Sequence, residues 1–165
     1  MKRIGIFYGS NTGTTADVAR RIAEKLGVAS ADVHDVSDTA PSRLGDYDLI
    51  VLGSSTWGSG DLEEDLYDFL DGAEVLDLKG KEIAIFGTGD QTMADTFCNA
   101  VGEIYRRMKR TGATMVGSFP ADMYNFDHSS AGTPLEMVGL CLDEVNRPEI
   151  TDRRIAEWVD LIKKS

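Results

Sequence analysis

Cysteine and histidine are almost missing from this chain: Cys98, Cys141, His34 and His128 are the only examples among 165 residues. None of them stands at metal-ligand spacing, and no Ser or Cys lies in a nucleophile motif with a histidine in view. The two cysteines sit far apart in unrelated apolar contexts and read as reduced, buried small hydrophobes, not as a disulfide. No apolar run approaches the roughly 18 residues of a membrane-spanning helix. A strand pattern that opens at Lys2 leaves no room for a signal peptide, so a cytoplasmic protein is expected. Positive charge is also scarce, with 17 Lys and Arg against 28 Asp and Glu and a net charge of −11. Nucleic-acid binding needs the opposite sign and is set aside. What is present, 42% apolar and 27% charged residues, fits one compact soluble domain spanning 1–165.

The elements alternate along the chain. Lys2–Tyr8 reads as a strand, and a helix opens at about Gly13 with Val18, Ala19, Ile22, Ala23 and Leu26 on one face. A short strand follows at Asp32–Val36. Asp48–Gly53 and Glu82–Phe86 are apolar on both faces. Leu62, Leu66, Phe69 and Leu70 mark a second helix face; Phe97, Val101, Ile104, Tyr105 and Met108 mark a third. Thr114–Gly117 is a last short strand, and Ile155, Trp158, Val159 and Ile162 form the face of a final helix with Thr151 as its cap. Strands buried on both faces and separated by helices predict an α/β fold, a parallel sheet with helices on each side. The stretch from Ser118 to Glu136, rich in Asp, Asn, Ser, Gly and Pro, breaks the alternation. A loop of that length in a compact domain signals function or a misread element.

Three polar loops leave strand C-terminal ends, where such sheets bind ligands. The first, Gly9-Ser10-Asn11-Thr12-Gly13-Thr14-Thr15, joins a strand to a helix, so backbone N–H groups and the helix dipole converge on an anion. It lacks the Gly-Lys-Ser/Thr ending of a nucleoside triphosphate loop. Hydroxyls and amides alone suit one resident phosphomonoester, while the plain alternative is a capped polar turn. The second loop, Ser54-Ser55-Thr56-Trp57-Gly58-Ser59-Gly60-Asp61, sets a tryptophan among small residues, either to stack on a planar ligand or to cover the sheet edge. Gly58 there permits a peptide flip that presents N–H or C=O to a ligand atom. The third, Thr88-Gly89-Asp90-Gln91, offers further backbone donors and acceptors. A site for a phosphate and a flat ring with little else is the profile of a cofactor carrier. Six carboxylates, Asp61, Glu63, Glu64, Asp65, Asp68 and Asp71, follow the second loop, either as solvated acids at a helix N-terminus or as a docking surface for basic partners.

On these motifs, together with Phe86-Gly87 before the third loop, Val138–Asn146 and the helix around Trp158, the chain resembles the long-chain flavodoxins essentially from end to end. The resemblance implies a flavodoxin-like three-layer sandwich whose five-stranded, doubly wound parallel sheet has the order 2-1-3-4-5. Its fifth strand would be split by a long loop, which accounts for Ser118–Glu136. It further implies one noncovalent FMN, with Ser10, Asn11, Thr12, Gly13, Thr14 and Thr15 holding the phosphate. Trp57 would stack on one ring face, within the loop formed by Ser54, Ser55, Thr56, Gly58 and Gly60. Thr88, Gly89 and Asp90 would meet the pyrimidine edge, and Asp95 the ribityl or ring neighbourhood. The family usually carries a tyrosine on the second ring face; Gln91–Thr96 has no aromatic, and Met93 is the substitute that packs best on a ring.

The implied function is low-potential one-electron transfer between neutral semiquinone and hydroquinone, without catalytic residues or a metal. The implied partners are an NADPH-dependent flavodoxin/ferredoxin reductase and low-potential acceptor enzymes, met by a monomer through transient electrostatic docking. Two charges about 10 Å apart interact by roughly 1.7 kcal/mol at an effective dielectric of about 20, so a strongly acidic protein disfavours the anionic hydroquinone. A flavodoxin-like NAD(P)H-dependent quinone or nitro reductase is the competing reading, but no basic or Gly-rich motif offers a nicotinamide site. A receiver-type signalling domain needs an aspartate where this chain has Gly53-Ser54-Ser55. Gly58→Val, which hinders the peptide flip, is expected to lower the yield of blue semiquinone in an anaerobic titration; an unchanged yield would count against the flip.

Overall fold

In the computed structural model, the residues described are 3–9, 14–57, 61–62, 64–88, 99–117, 119–120, 136–137, 140–142 and 151–163. Strand β1 (Ile4–Gly9) leads to helix α1 (Thr14–Leu26), which buries Val18, Ala19, Ile22, Ala23 and Leu26 as the 3.6-residue period requires. The helix closes on Gly27 at φ +75, with Val28 N–H donating to the Ala23 carbonyl at 2.9 Å and Gly27 N–H to Glu24 at 3.4 Å. This is the paired 6→1 and 5→2 closure that satisfies the last carbonyls of a helix.

Strand β2 (Val33–Asp35) lies between two 3-10 turns and is shorter than the expected Asp32–Val36. Strand β3 (Leu49–Trp57) runs four residues past the expected Gly53 and pairs antiparallel with the short β4 (Asp61–Leu62). Leu62 therefore belongs to that hairpin and not to the face of α2 (Glu64–Ala73), which buries Leu66, Phe69, Leu70 and Ala73. Strand β5 (Glu82–Thr88), helix α3 (Asn99–Lys109) and strand β6 (Thr114–Val116) follow. Phe97, expected on the α3 face, lies outside the described residues. The pieces β7 (Phe119–Pro120) and β8 (Glu136–Met137) pair antiparallel, β9 is Leu140–Leu142, and α4 is Thr151–Lys163, starting where its cap is expected.

Strand β1 pairs in parallel with both β2 and β3, and β3 with β5. The far side of β5 carries two partners in succession: Glu82, Ile83 and Ala84 match Thr114, Met115 and Val116 of β6, and Phe86, Gly87 and Thr88 match Leu140, Cys141 and Leu142 of β9. These are two halves of one fifth strand, interrupted by the segment whose base the β7–β8 pair closes. With β4 set aside and the halves counted together, the order is 2-1-3-4-5, as expected. Helices α1 and α4 pack together, as do α2 and α3, giving three layers. Ile50, Val51 and Leu52 of β3 and Ile83 to Phe86 of β5 have no exposed surface, as strands covered on both faces must. Trp158 of α4 donates its indole N–H to the Gly117 carbonyl at 2.7 Å, pinning the last helix to the point where the fifth strand breaks.

Two buried details bear on stability. A Cβ on Gly53 would sit 2.0 Å from the Phe86 ring, so the bare glycine is what lets that ring lie across β3. At the other edge, Tyr47 donates its hydroxyl to Asp32 at 2.9 Å and accepts from His34 Nε2 at 2.8 Å, while the imidazole stacks on Phe7 at 4.9 Å. Burial, helped by Arg43 and opposed by Asp32 and Asp46, lowers the His34 pKa.

Gly53→Ala is expected to cost about 1–3 kcal/mol in chemical denaturation, because the ring cannot retreat from a packed sheet. The unfolded chain holds the His34 proton more tightly than the fold does, so stability should fall as pH drops from about 6.5 through the lower folded value. The difference in urea midpoint between wild type and His34→Gln across that window measures this term; parallel pH profiles would refute it.

Candidate functional site

Register brings three strand ends into one row. Gly9 of β1 lies beside Ser54 of β3, which lies beside Gly87 of β5; one step on, Ser55 matches Thr88, and Thr88 matches Leu142 of β9. Neighbouring strands lie about 4.8 Å apart, so Gly9 and Gly87 flank Ser54 within roughly 10 Å. Both flanking residues lack a side chain, so the two strands beside Ser54 present bare backbone there. The segments 10–13, 58–60, 89–98 and 143–150 all attach at this edge, on β1, β3, β5 and β9. The chain winds from β1 to β2 on one side and continues from β3 on the other, so the edge is the topological switch point at which open α/β sheets bind ligands.

Of the expected phosphate loop, Gly9 ends β1, Thr14 opens α1, and Thr15 in its first turn is buried with 1% exposure. Helix α1 is thirteen residues long, enough to develop a full dipole with its positive end at this row. Ser54 is fully buried at the centre of the row, and both Thr15 and Ser54 are engaged by polar or electrostatic contacts. Ser55, Thr56 and Trp57 continue β3 beyond the row, and Thr88 ends β5. Ser10, Asn11, Thr12, Gly13, Gly58, Gly60, Gly89, Asp90, Met93 and Asp95 lie outside the described residues. The donor set that is described, bare glycines, buried hydroxyls and a helix N-terminus without lysine or arginine, fits a phosphomonoester bound by neutral donors.

Tyr8, one residue before Gly9, is half-buried. Burial, then Asp35 and Asp38, raise its phenol pKa against the pull of Arg20, so it stays neutral. The acidic run after the second loop divides in its roles. Asp71 binds Arg107 at 3.0 Å, and the same guanidinium reaches Glu103 at 3.2 Å and Glu74 at 4.0 Å, tying α2 to α3. Asp68 is exposed.

Two features of the site escape a reading by hydrophobic period. The β3–β4 hairpin turns Trp57 back against Asp61; its signal is a β-prone Ser-Ser-Thr-Trp run followed by Gly-Ser-Gly. The pairing of β9 with the end of β5 sets Leu142 beside Thr88 at the same edge, and no local signal marks that.

A doubly wound α/β fold with a helix N-terminus at its switch point defines a ligand-binding class, and comparison with known proteins names the family. The flavodoxin family model matches residues 6–158. Flavodoxin of Klebsiella pneumoniae is 40% identical over 161 residues, covering 96% of this chain and 92% of that protein. Flavodoxin of Nostoc sp. PCC 7120 is 39% identical over 163 residues, covering 98% and 96%. The crystal structure of Fusobacterium nucleatum flavodoxin bound to flavin mononucleotide superposes with a TM-score of 0.91 at 29% identity, covering 99% of this chain and 98% of that one. The chain belongs to the flavodoxin family.

If Thr15 serves this edge through its hydroxyl, Thr15→Val, which keeps the shape, should leave the fold intact by circular dichroism. It should weaken binding of a phosphate-bearing ligand about three- to tenfold in fluorescence titration. Unaltered affinity would remove Thr15 from the cradle.

Proposed function

We propose that this protein is an electron carrier, not an enzyme, built as one domain over 1–165 around a single noncovalent FMN. The observation that carries the reading is the row Gly9–Ser54–Gly87 at the switch point beside the N-terminus of α1. Flavodoxins are themselves a familiar example of the rule that ligands sit there. FMN, when bound, supplies the one-electron chemistry; the chain binds, orients and tunes it.

In this reading the amides and hydroxyls of Ser10, Asn11, Thr12, Gly13, Thr14 and Thr15 bind the phosphate, with α1 lending its positive end. Absence of a cationic side chain leaves the phosphate charge uncompensated, which adds to a net charge of −11 in opposing further negative charge on the cofactor. Trp57 covers one ring face. Ser54, Ser55, Thr56, Gly58 and Gly60 shape the wall beside it, and Gly58 offers its carbonyl to the ring edge. Thr88, Gly89 and Asp90 present backbone groups to the pyrimidine edge, with Met93 on the second face and Asp95 near the ribityl chain.

As an electron carrier the protein serves redox partners. Its charge suits short-lived docking to basic surfaces, such as those of an NADPH-dependent flavodoxin/ferredoxin reductase and of low-potential acceptors. A cytoplasmic monomer fits this role, and no described helix is long and apolar enough to cross a membrane.

An anaerobic titration of the FMN-loaded protein, followed in the visible spectrum, should resolve two separate one-electron reductions. A single two-electron bleach with steady NAD(P)H turnover would replace the carrier by a reductase, and failure to take up FMN would overturn both. Reduction by a basic partner should slow as salt rises, since steering is screened over about 10 Å at 0.1 M; rates indifferent to salt would refute electrostatic docking.

A further inference from the structure

The opposite end of the sheet holds a cavity of about 560 Å³ that the electron-carrier reading does not use. It opens between the C-terminal ends of α1 and α4 and the first residues of β1 and β3. Its floor is apolar: Leu26, Leu49 and Ile162 are buried, and half-buried Ile4 and Val28 form the walls. Its size falls within the roughly 300–1,000 Å³ typical of small-molecule pockets.

The mouth is cationic, against the sign of the whole chain. Arg3 and Lys163 are exposed on its rim. The Lys163 ammonium donates to the Lys25 carbonyl at 3.2 Å, which offsets the negative end of α1, and it pairs with no carboxylate among the described residues. The Arg3 guanidinium lies over the Tyr47 ring, 5.1 Å from its centroid, and pairs with no carboxylate among the described residues. The one acid in the lining, Asp32, is half-buried and accepts the Tyr47 hydroxyl at 2.9 Å, so part of its charge is already met. Gly27, at φ +75 on the rim, has no atom within 4 Å of where a Cβ would stand, so the entrance is unobstructed there.

We propose that this cavity is a second ligand site, at the sheet end away from the cofactor edge, for a small molecule with an apolar body and one anionic group. The apolar floor takes the body; the Arg3 guanidinium takes a carboxylate in its two-pronged geometry, and the Lys163 ammonium adds a point charge. An apolar cation meets two like charges at the rim, and a neutral analogue loses the charge-assisted hydrogen bonds.

The test uses the FMN-loaded full chain and three eight-carbon probes, octanoate, octanol and octylammonium, with calorimetry and amide NMR. Octanoate should saturate one site and shift amides at Leu26–Ala29 and Ile162. It should bind about tenfold or more tighter than either analogue, and Arg3→Gln should abolish that preference. The head-group series needs no variant, so it decides the matter even if Arg3→Gln fails to fold. No saturable octanoate binding, equal affinity for all three probes, or shifts confined to the Gly9–Ser54–Gly87 edge would each overturn the proposal. So would octanoate binding that emerges only on deletion of residues 164–165, which would give the cavity to the chain's own end.

Discussion

A parallel strand covered on both faces has a single tolerable register, and the rest of this molecule hangs on that fact. Sliding β3 by one residue against β1 would exchange its two faces and set polar Ser54 where Gly53 now packs under the Phe86 ring. Because β3 is held by β1 on one side and β5 on the other, Gly9, Ser54 and Gly87 come level in one row, and β3 alone runs on past it to Trp57. The row at the switch point follows from that register. The Phe86 ring lying over Gly53 reinforces it just below the row, since a misregistered β5 would bring the ring against a side chain.

Charge is arranged on this frame by a simple rule. In a βαβ protein every helix runs back against the strands, so helix N-termini gather at the ligand edge and C-termini at the other end. Acids sit in the first turns of α1 and α4, Asp17 and Asp152, and bases in the last turns of α1, α3 and α4. Each pairing is worth only a fraction of a kcal/mol to its own helix, but all point the same way. The Gly9–Ser54–Gly87 row thus lies at the end where helices begin, and the Arg3–Lys163 cavity at the end where α1 and α4 finish. Arg107, shared among Asp71, Glu74 and Glu103, shows the other use of charge, joining two helices whose acids would otherwise repel.

Much of the fold was legible from period alone. The faces of α1 and α4 are buried residue for residue as their spacing implies, and the two doubly apolar runs became the central strands. The misreadings cluster where polarity and structure part company. Ser54–Trp57 is mostly hydrophilic yet extended, because it pairs with Gly87, Thr88 and the hairpin strand. Leu62 fits a helical stripe but is held by a ladder to Thr56. Of the site, the hydroxyl-rich loop and the tryptophan strand stood out as motifs because phosphate binding and ring stacking demand particular residue types at fixed distances from a strand end. The place of β9 did not, since nothing local records that it completes the strand begun by β6 some two dozen residues earlier.

By itself the sequence determined the class of fold, the acidic character and membership of the flavodoxin family, all of which reside in composition and short-range order. Only the tertiary structure decided which strand ends stand side by side, how the interrupted fifth strand is rejoined, and where a cavity remains between two helix ends. Those depend on contacts between residues far apart in the chain, whose energies come from shared burial and register and leave no trace in any one segment read alone.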